Sequence, residues 1–416
     1  MRSKSGTPRN TLQLILHPEF GSALAGKVIL VTGFWAQTML LVVLTFEQTH
    51  SAAWVGAITA AQLLPQLCLA LVSGGMADKR GPQIPIVVGG ICTGLGCIGL
   101  AIWLAVPDTV RAVPIQMPLL VASAICGVGI ALASAAMQAV PPRLSEPDER
   151  NAALSLNFLP TALARTVGPI AGTALAVIFG SIATLGIVGA ACIGASFIFV
   201  FIRRLGTPSD TQAPVQRLRD VLGYLRTDWT LIAVLAAVAA IGAGSEAAIT
   251  LAPSIGNLLG IGASGAGWVT AAFGIGGLLG VIGFKLACLK CKTETVGCLS
   301  MALLSASIAL LAIAPPLAWA TALLVIAGAS MVMGITGFSI LAQQRSPVAF
   351  LGRVMALWVM AFTGIRPLAG ISLGFISDHA SPSTALLTSG VVTILASAAV
   401  FLVLSARRSS DAMTED

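Results

Sequence analysis

Three ionised side chains lie deep inside otherwise apolar stretches of this sequence: Arg165, Glu246 and Arg366. Burial favours the protonated form of a carboxyl, whereas a nearby arginine favours its charged form. Glu246 can therefore exchange a proton if an arginine lies beside it. Thr250 and Pro253 follow Glu246 on the same helical face, at i+4 and i+7. The alternative is a static Glu–Arg bridge that only holds helices together.

Polar side chains in other apolar stretches are candidates for the same site. Gln37, Gln138 and Asn157 are predicted to line a substrate cavity together with the ionised groups. Each of these side chains is as readily explained by a hydrogen bond between helices, since buried amides commonly serve that purpose in membranes.

The elements that position these groups are predicted to be membrane-spanning helices. Of the 416 residues 56% are hydrophobic and 9% are charged, whereas soluble domains carry about 25% charged residues. The apolar runs are long enough to cross a hydrocarbon core of ~30 Å. The twelve predicted spans are residues 22–45, 53–75, 84–106, 115–139, 153–178, 181–202, 229–252, 265–287, 295–313, 317–341, 354–376 and 383–405. The expected fold is an all-α membrane protein with twelve transmembrane helices in two pseudo-symmetric six-helix halves.

The distribution of basic residues predicts the orientation in the bilayer. Of the 23 Lys and Arg residues, 19 lie on one alternate set of connections, whereas Arg111 lies alone on the opposite set. The positive-inside rule then places both termini in the cytoplasm, with the chain in a bacterial inner membrane. The formal charge of +7 is attributed to this topology, and no nucleic-acid partner is expected.

The longest connection divides the chain into two similar halves. The predicted organisation begins with a cytoplasmic N-terminal segment (1–21) and a first six-helix bundle (22–202). A cytoplasmic linker with a basic amphipathic helix (203–228) then leads to a second six-helix bundle (229–405) and a cytoplasmic tail (406–416). The sequence from Gly168 to Gly172, Gly-Pro-Ile-Ala-Gly, is echoed by Arg-Pro-Leu-Ala-Gly from Arg366 to Gly370. Internal repeats of this kind are typical of secondary transporters, whose halves rock about a site near the membrane midplane.

A short charged motif in the connection between spans 2 and 3 carries a family resemblance. Its residues are Gly74, Asp78, Lys79, Arg80 and Gly81, and the pattern resembles the loop signature G-x-x-x-D-[RK]-x-G-[RK]-[RK] of the major facilitator superfamily. The resemblance implies that Asp78 latches the outward-facing state against span 11, with Lys79 as its basic partner. The two trailing basic residues of the signature are replaced by Pro82 and Gln83. The alternative is a solvated turn with incidental charges.

Span 5 resembles a motif of the exporters in that superfamily. Gly168, Pro169 and Gly172 match the element G-P-x-x-G, and they follow Arg165 on the same helix. Plain helix packing explains the same residues equally well, because two small residues four positions apart admit a neighbouring helix. Together with Glu146, Arg150 and Asn151 before span 5 and the sequence 351–355 before span 11, the motif resembles the enterobactin-exporter-like branch, also called transmembrane secretion effectors.

These observations predict a transporter that needs no cofactor, nucleotide or metal. The expected activity is proton-coupled antiport that exports a small amphiphilic molecule, either a drug-like compound or a siderophore, by a protein that works as a monomer in the lipid bilayer. A nutrient importer on the same fold remains an alternative. A membrane enzyme or a sensor is a more distant one, since the sequence shows neither a clustered catalytic set nor an appended soluble domain.

Overall fold

The computed structural model is almost entirely helical. It describes residues 11–107, 113–145, 149–202, 205, 228–346 and 351–413. The helices before the central connection are α1 Thr11–Leu16, α2 Pro18–Thr49, α3 Ala52–Arg80, α4 Gln83–Ala105, α5 Gln116–Gln138, α6 Val140–Leu144, α7 Arg150–Phe179 and α8 Ser181–Ile198. The helices after it are α9 Trp229–Thr250, α10 Ala252–Leu258, α11 Ala266–Ala287, α12 Thr293–Leu310, α13 Leu317–Arg345, α14 Leu351–Gly364, α15 Arg366–His379 and α16 Pro382–Met413. Short 3-10 turns cover Phe199–Phe201, Ala263–Gly265 and Leu311–Ile313.

The predicted membrane spans correspond to helices in the described part of the chain. There, 11 helices are long and apolar enough to cross a membrane. The fifth predicted span is α7, whose apolar part is the shorter stretch Leu163–Phe179. A chain inside hydrocarbon must satisfy its backbone hydrogen bonds internally, and helices achieve this within one segment. The predicted all-α membrane fold with twelve spans is confirmed.

One predicted span is not a single continuous helix. The sequence predicts one helix over 354–376, but the structure has α14 ending at Gly364 and α15 beginning at Arg366. Pro367 occupies the first turn of α15. Proline supplies no N–H to the carbonyl four residues earlier and its ring collides with that turn, so a helix is interrupted there. The interruption puts Arg366 at the start of a helix within the span.

The Cα positions group into two compact units. The first unit comprises residues 1–41 and 64–212, and the second comprises 42–63 and 213–416. The C-terminal end of α2 and the N-terminal end of α3 therefore pack with α9 to α16. The division into two sequence halves with a cytoplasmic linker stays a prediction, since most of residues 203–228 lie outside the described part.

Helix α9 forms the centre of the second unit. It contacts α13, α14, α15 and α16, and every residue of the stretch 244–250 is buried. A stretch of helix that is buried all round is one that neighbouring helices surround. Any ionisable side chain within this stretch is consequently enclosed by protein.

Candidate functional site

Glu246 and Arg366 form a buried ion pair in the second unit. Glu246 is 0% exposed, and the Arg366 Nε donates a hydrogen bond of 2.8 Å to its Oε2. The side chain of Arg366 is 11% exposed. Arg366, one of the two arginines predicted as partners of Glu246, contacts it within the second unit. A buried carboxylate and a buried guanidinium each require such a partner, because the cost of desolvating a lone charge is several kcal/mol, roughly.

The second oxygen of the Glu246 carboxyl contacts a threonine. Thr250 Oγ1 donates to Glu246 Oε1 at 2.8 Å, as their i, i+4 spacing on α9 allows. Thr250 Oγ1 also lies 3.3 Å from Thr59 Oγ1 on α3. Gly370 packs against this cluster, since a Cβ built there would lie 3.1 Å from Thr250 Oγ1 and 3.3 Å from Thr59 Oγ1. Thr59 was not singled out by the sequence, because α3 and α9 are far apart along the chain.

Two aromatic rings extend the ion pair along α14. The Arg366 guanidinium carbon lies 5.7 Å from the centre of the Phe362 ring. Phe362 in turn stacks on Trp358, with 6.2 Å between the ring centres and 20° between the planes. Arginine over an aromatic face is an attractive contact. The Phe362 ring therefore packs on the guanidinium, and Trp358 packs on that ring.

Arg165 lies in the first unit, in a different environment. Its guanidinium carbon is 5.2 Å from the centre of the Trp35 ring, so α7 contacts α2 through a cation–π pair. Glu246 and Arg366 belong to the second unit. The predicted set of three ionised groups is therefore divided between the two units.

Asn157, one of the predicted amide residues of the first unit, binds a lysine that the sequence did not single out. Asn157 Nδ2 donates to Gln138 Oε1 at 2.5 Å, while Lys27 Nζ donates to both Asn157 Oδ1 and the Asn157 carbonyl at 2.7 Å. Lys27 is 5% exposed, and in the described part of the chain no carboxylate pairs with it. Gln37, further along α2, is 0% exposed. The sequence did not mark Lys27 as a buried charge, because it lies near the predicted start of span 1, where lysine side chains commonly reach the membrane surface.

The loop motif is described only in part. The side chains of Gly74, Asp78, Lys79 and Arg80 lie outside the described residues, so the predicted latch stays a prediction. Gly81 follows the end of α3 with a φ of 84°. Glycine adopts this left-handed conformation without a Cβ clash and commonly ends helices. The motif therefore places its glycine where the chain must leave α3.

The exporter-like motif in α7 forms a close contact with α2. A Cβ at Gly168 would lie 2.5 Å from Trp35 Cβ, and one at Gly172 would lie 2.7 Å from the Ala36 carbonyl oxygen. Pro169 lies inside α7, where it withdraws a backbone donor from the carbonyl of Arg165. The motif thus lets α7 approach the backbone of α2 within the first unit.

Replacing Gly172 by alanine should destabilise the protein by about 1–3 kcal/mol, the usual cost of overpacking a closed contact. The neighbouring atoms belong to the backbone of Ala36, which cannot rotate away. Thermal unfolding in detergent measures the effect, and Gly186→Ala in α8 is the matched control because a Cβ there meets nothing within 4 Å. Equal melting temperatures for the two variants would show that α2 shifts to accommodate the added methyl group without loss of stability.

Asp378, near the end of α15, caps the N-terminus of α3. Its carboxylate accepts hydrogen bonds from Ser51 Oγ at 2.5 Å, from the backbone N–H of Ala52 at 2.7 Å and from that of Ala53 at 3.0 Å. A carboxylate at this position satisfies free backbone donors and complements the positive end of the helix dipole. Asp378 therefore links α15 to α3, over more than 300 residues of sequence.

Replacing Asp378 by alanine should cost about 1–2 kcal/mol of stability, the upper part of the range for a lost helix cap. Ser381→Ala is the control, because Ser381 Oγ caps its own helix by accepting from the Thr384 N–H at 3.0 Å and no distant segment depends on it. Melting temperatures in detergent should fall further for Asp378→Ala. A smaller fall than that of Ser381→Ala would contradict the role of Asp378 in joining two distant helices.

Taken together, the apolar helices and the buried ion pair describe a multi-pass membrane protein with paired charges inside its second unit. In the described part of the chain no group of His, Cys, Asp and Glu side chains could hold a metal ion. The family model of the Major Facilitator Superfamily matches residues 24–370. The chain belongs to this superfamily.

Solved structures of other transporters share the fold. A mutant of the nucleoside transporter NupG superimposes with a TM-score of 0.74 at 12% identity, covering 92% of this chain and 99% of its own. A bacterial homologue of the human lysosomal transporter Spinster, in an inward-facing and unoccupied conformation, gives 0.74 at 13% identity, with 93% and 97% covered. The peptide transporter POT in complex with sulfate gives 0.71 at 14% identity, with 97% and 96% covered. No curated protein sequence matches this chain.

Proposed function

We propose that the protein is a proton-coupled antiporter that exports a small amphiphilic molecule across the bacterial cytoplasmic membrane. The observation that carries the proposal is the Glu246–Arg366 pair, which is buried, lies within the apolar spans and joins α9 to α15 at the interrupted helix. Secondary transporters place coupling-ion sites at discontinuous helices near the bilayer midplane. Energy for uphill transport then enters as a proton that binds and leaves Glu246.

Arg366 supplies the other half of this coupling. Guanidinium does not lose its proton in proteins, so protonation of Glu246 leaves an arginine charge without a countercharge. An anionic group of a substrate can then take the place of the carboxylate. Competition between a proton and a substrate for the same residue pair is a simple route to antiport. Arg165, Gln37, Gln138 and Asn157 are proposed to serve the substrate pathway in the first unit.

The proposals that transport is export and that the substrate is amphiphilic rest on the resemblance of the sequence to a branch of exporters. The Gly168–Pro169–Gly172 element and the enterobactin-exporter-like sequence pattern favour a drug-like compound or a siderophore as the substrate. The loop motif supports a role for Asp78 as a cytoplasmic latch in the transport cycle. The protein is proposed to act as a monomer.

Proteoliposomes with a pH-sensitive dye trapped inside test the proposal directly. Addition of a lipophilic dye or a catecholate siderophore should drive protons in the direction opposite to the added compound. Movement of protons and compound in the same direction would identify an importer that works by symport. The absence of any compound-dependent proton flux across a broad panel would contradict proton coupling.

The proposed orientation predicts that the central connection faces the cytoplasm. A single reporter cysteine at Ser209, in a background without the native cysteines, should not react with a membrane-impermeant thiol reagent added to intact cells. The reason is that the positive-inside rule places this basic segment in the cytoplasm. The same cysteine should react after the cells are made permeable, which controls for reactivity. Efficient labelling of intact cells would reverse the orientation.

A further inference from the structure

The hydroxyl groups of Thr250 and Thr59 connect Glu246 to helix α3. Glu246 Oε1, Thr250 Oγ1, Thr59 Oγ1 and the Gly56 carbonyl oxygen follow one another at 2.8, 3.3 and 3.0 Å. Glu246 and Thr250 are 0% exposed and Thr59 is 3% exposed. The chain of oxygens is thus closed to solvent, and it crosses from α9 to α3 within the second unit.

Counting hydrogens along this chain shows that it depends on the charge of Glu246. Each threonine hydroxyl has one hydrogen to donate. When Glu246 is ionised, Thr250 donates to its Oε1 and Thr59 donates to the Gly56 carbonyl. No hydrogen then remains for the contact between the two hydroxyl oxygens.

Protonation of Glu246 supplies the missing hydrogen. Oε2 accepts from Arg366 Nε, so the added proton belongs on Oε1, which then donates to Thr250 Oγ1. Thr250 turns its hydrogen toward Thr59, and Thr59 continues to donate to the Gly56 carbonyl. Each oxygen pair now shares one hydrogen, and only the hydroxyl of Thr250 has rotated.

We propose that Thr250 and Thr59 are positioning residues that transmit the protonation state of Glu246 to α3. Protonation adds a hydrogen bond between α9 and α3, and ionisation removes it. This inference rests on the proposed coupling role of Glu246. Gly370 packs close to both hydroxyls, since a Cβ built there would lie 3.1 Å and 3.3 Å from the two oxygens.

The charged group beside Glu246 lies on α15, whereas the hydroxyls of Thr250 and Thr59 connect Glu246 to α3. Arg366 faces Glu246 from α15, and its charge does not change with pH. In the described part of the chain, Arg366 is the one charged side chain that forms an ion pair or hydrogen bond with Glu246. Asp378 lies on α15, 12 residues beyond Arg366 and about 18 Å along the helix, where it binds the start of α3.

Infrared difference spectroscopy of the purified protein tests the proposal with protons as the only ligand. The carbonyl stretch of a protonated carboxyl, assigned to Glu246 by its loss in Glu246→Gln, is followed as pH is varied. Thr59→Val removes the hydroxyl with little change in shape and should move the midpoint of this band to lower pH, because the completed chain stabilises the protonated form. The expected shift is about 0.5–1 pH unit, the worth of one buried hydrogen bond.

Three further variants make the result specific. Thr59→Ser retains the hydroxyl and should keep the wild-type midpoint, and Thr59→Ala should reproduce the shift if Thr59→Val does not fold. Thr393→Val is the matched control, since Thr393 is 2% exposed, packs against Gly244 of α9 and donates only to the Ser389 carbonyl. Its midpoint should equal that of wild type.

The outcomes separate this inference from the coupling proposal. A Glu246 band whose midpoint is the same in wild type, Thr59→Val and Thr59→Ala overturns the role of the threonines and leaves Glu246 as a coupling residue. A shift to higher pH also overturns it. The absence of any pH-dependent band that Glu246→Gln removes overturns the coupling proposal, and the inference with it.

Discussion

Glu246→Gln should abolish transport driven by a pH gradient while leaving substrate binding intact. Glutamine has nearly the shape of glutamate, and its carbonyl oxygen can still accept from the Arg366 Nε that now lies 2.8 Å from the carboxylate. It cannot take up or release a proton. Uphill transport in vesicles with an imposed pH gradient should fall to the level of empty vesicles, whereas exchange of labelled for unlabelled substrate should continue.

Glu47→Gln is the matched control for this experiment. Glu47 lies near the end of α2 and is exposed, so the same chemical change there should leave gradient-driven transport near the wild-type rate. Normal gradient-driven transport by Glu246→Gln would remove Glu246 from the coupling mechanism. The search would then move to other carboxyl groups near the ends of the spans, beginning with Asp108.

Arg366→Met should destabilise the protein by roughly 3–5 kcal/mol at neutral or higher pH, the cost of removing one partner of a buried ion pair. Methionine retains an unbranched apolar chain but leaves the fully buried carboxylate of Glu246 without its cation. Lower pH should reduce the loss, because a proton then neutralises the carboxylate. Thermal unfolding in detergent across a pH series measures both effects.

Arg165→Met serves as the comparison for that variant. Arg165 is partly exposed and lies over the Trp35 ring, so its loss should cost about 0.5–2 kcal/mol. The double variant Glu246→Gln with Arg366→Met removes both charges and should recover most of the stability that Arg366→Met loses. A double variant no more stable than Arg366→Met would show that the pair contributes through packing and not through charge.

The two predictions together distinguish a coupling pair from a static bridge. A static bridge predicts that Glu246→Gln loses stability because the Arg366 charge is left without a countercharge in a low dielectric. A coupling pair predicts a folded protein of near-normal abundance that has lost its response to the pH gradient. The melting temperature and the transport rate of one variant therefore decide between the two alternatives that the sequence leaves open.

The membrane fold and the superfamily could be predicted from the sequence. Runs of about 20 apolar residues have few alternatives to a helix, because hydrocarbon offers no hydrogen-bond partner for the backbone. The loop motif from Gly74 to Gly81 is local, so its spacing is visible without a structure. The ionised residues Glu246 and Arg366 stood out for the same reason, since charges within such runs are rare.

The partners of these residues were decided by the tertiary structure. Glu246 and Arg366 are 120 residues apart, and the sequence alone offers Arg165 as an equally plausible partner of Glu246. Lys27 was not singled out in the sequence, yet α7 supplies the two oxygens that it binds. The hydrophobic pattern of a helix in a bilayer does not specify which neighbour each face will meet, because lipid and protein interiors are similarly apolar.

The finer features of the site depend on the same packing. Thr59 and Asp378 are ordinary polar residues in the sequence, and their roles follow from the contact of α3 with α9 and α15. The interruption between Gly364 and Arg366 has a local cause in Pro367, but its consequence is not local. Local sequence determines where a helix runs or breaks, whereas a charge or a hydroxyl acquires a function only from the groups that distant helices bring within hydrogen-bond distance of it.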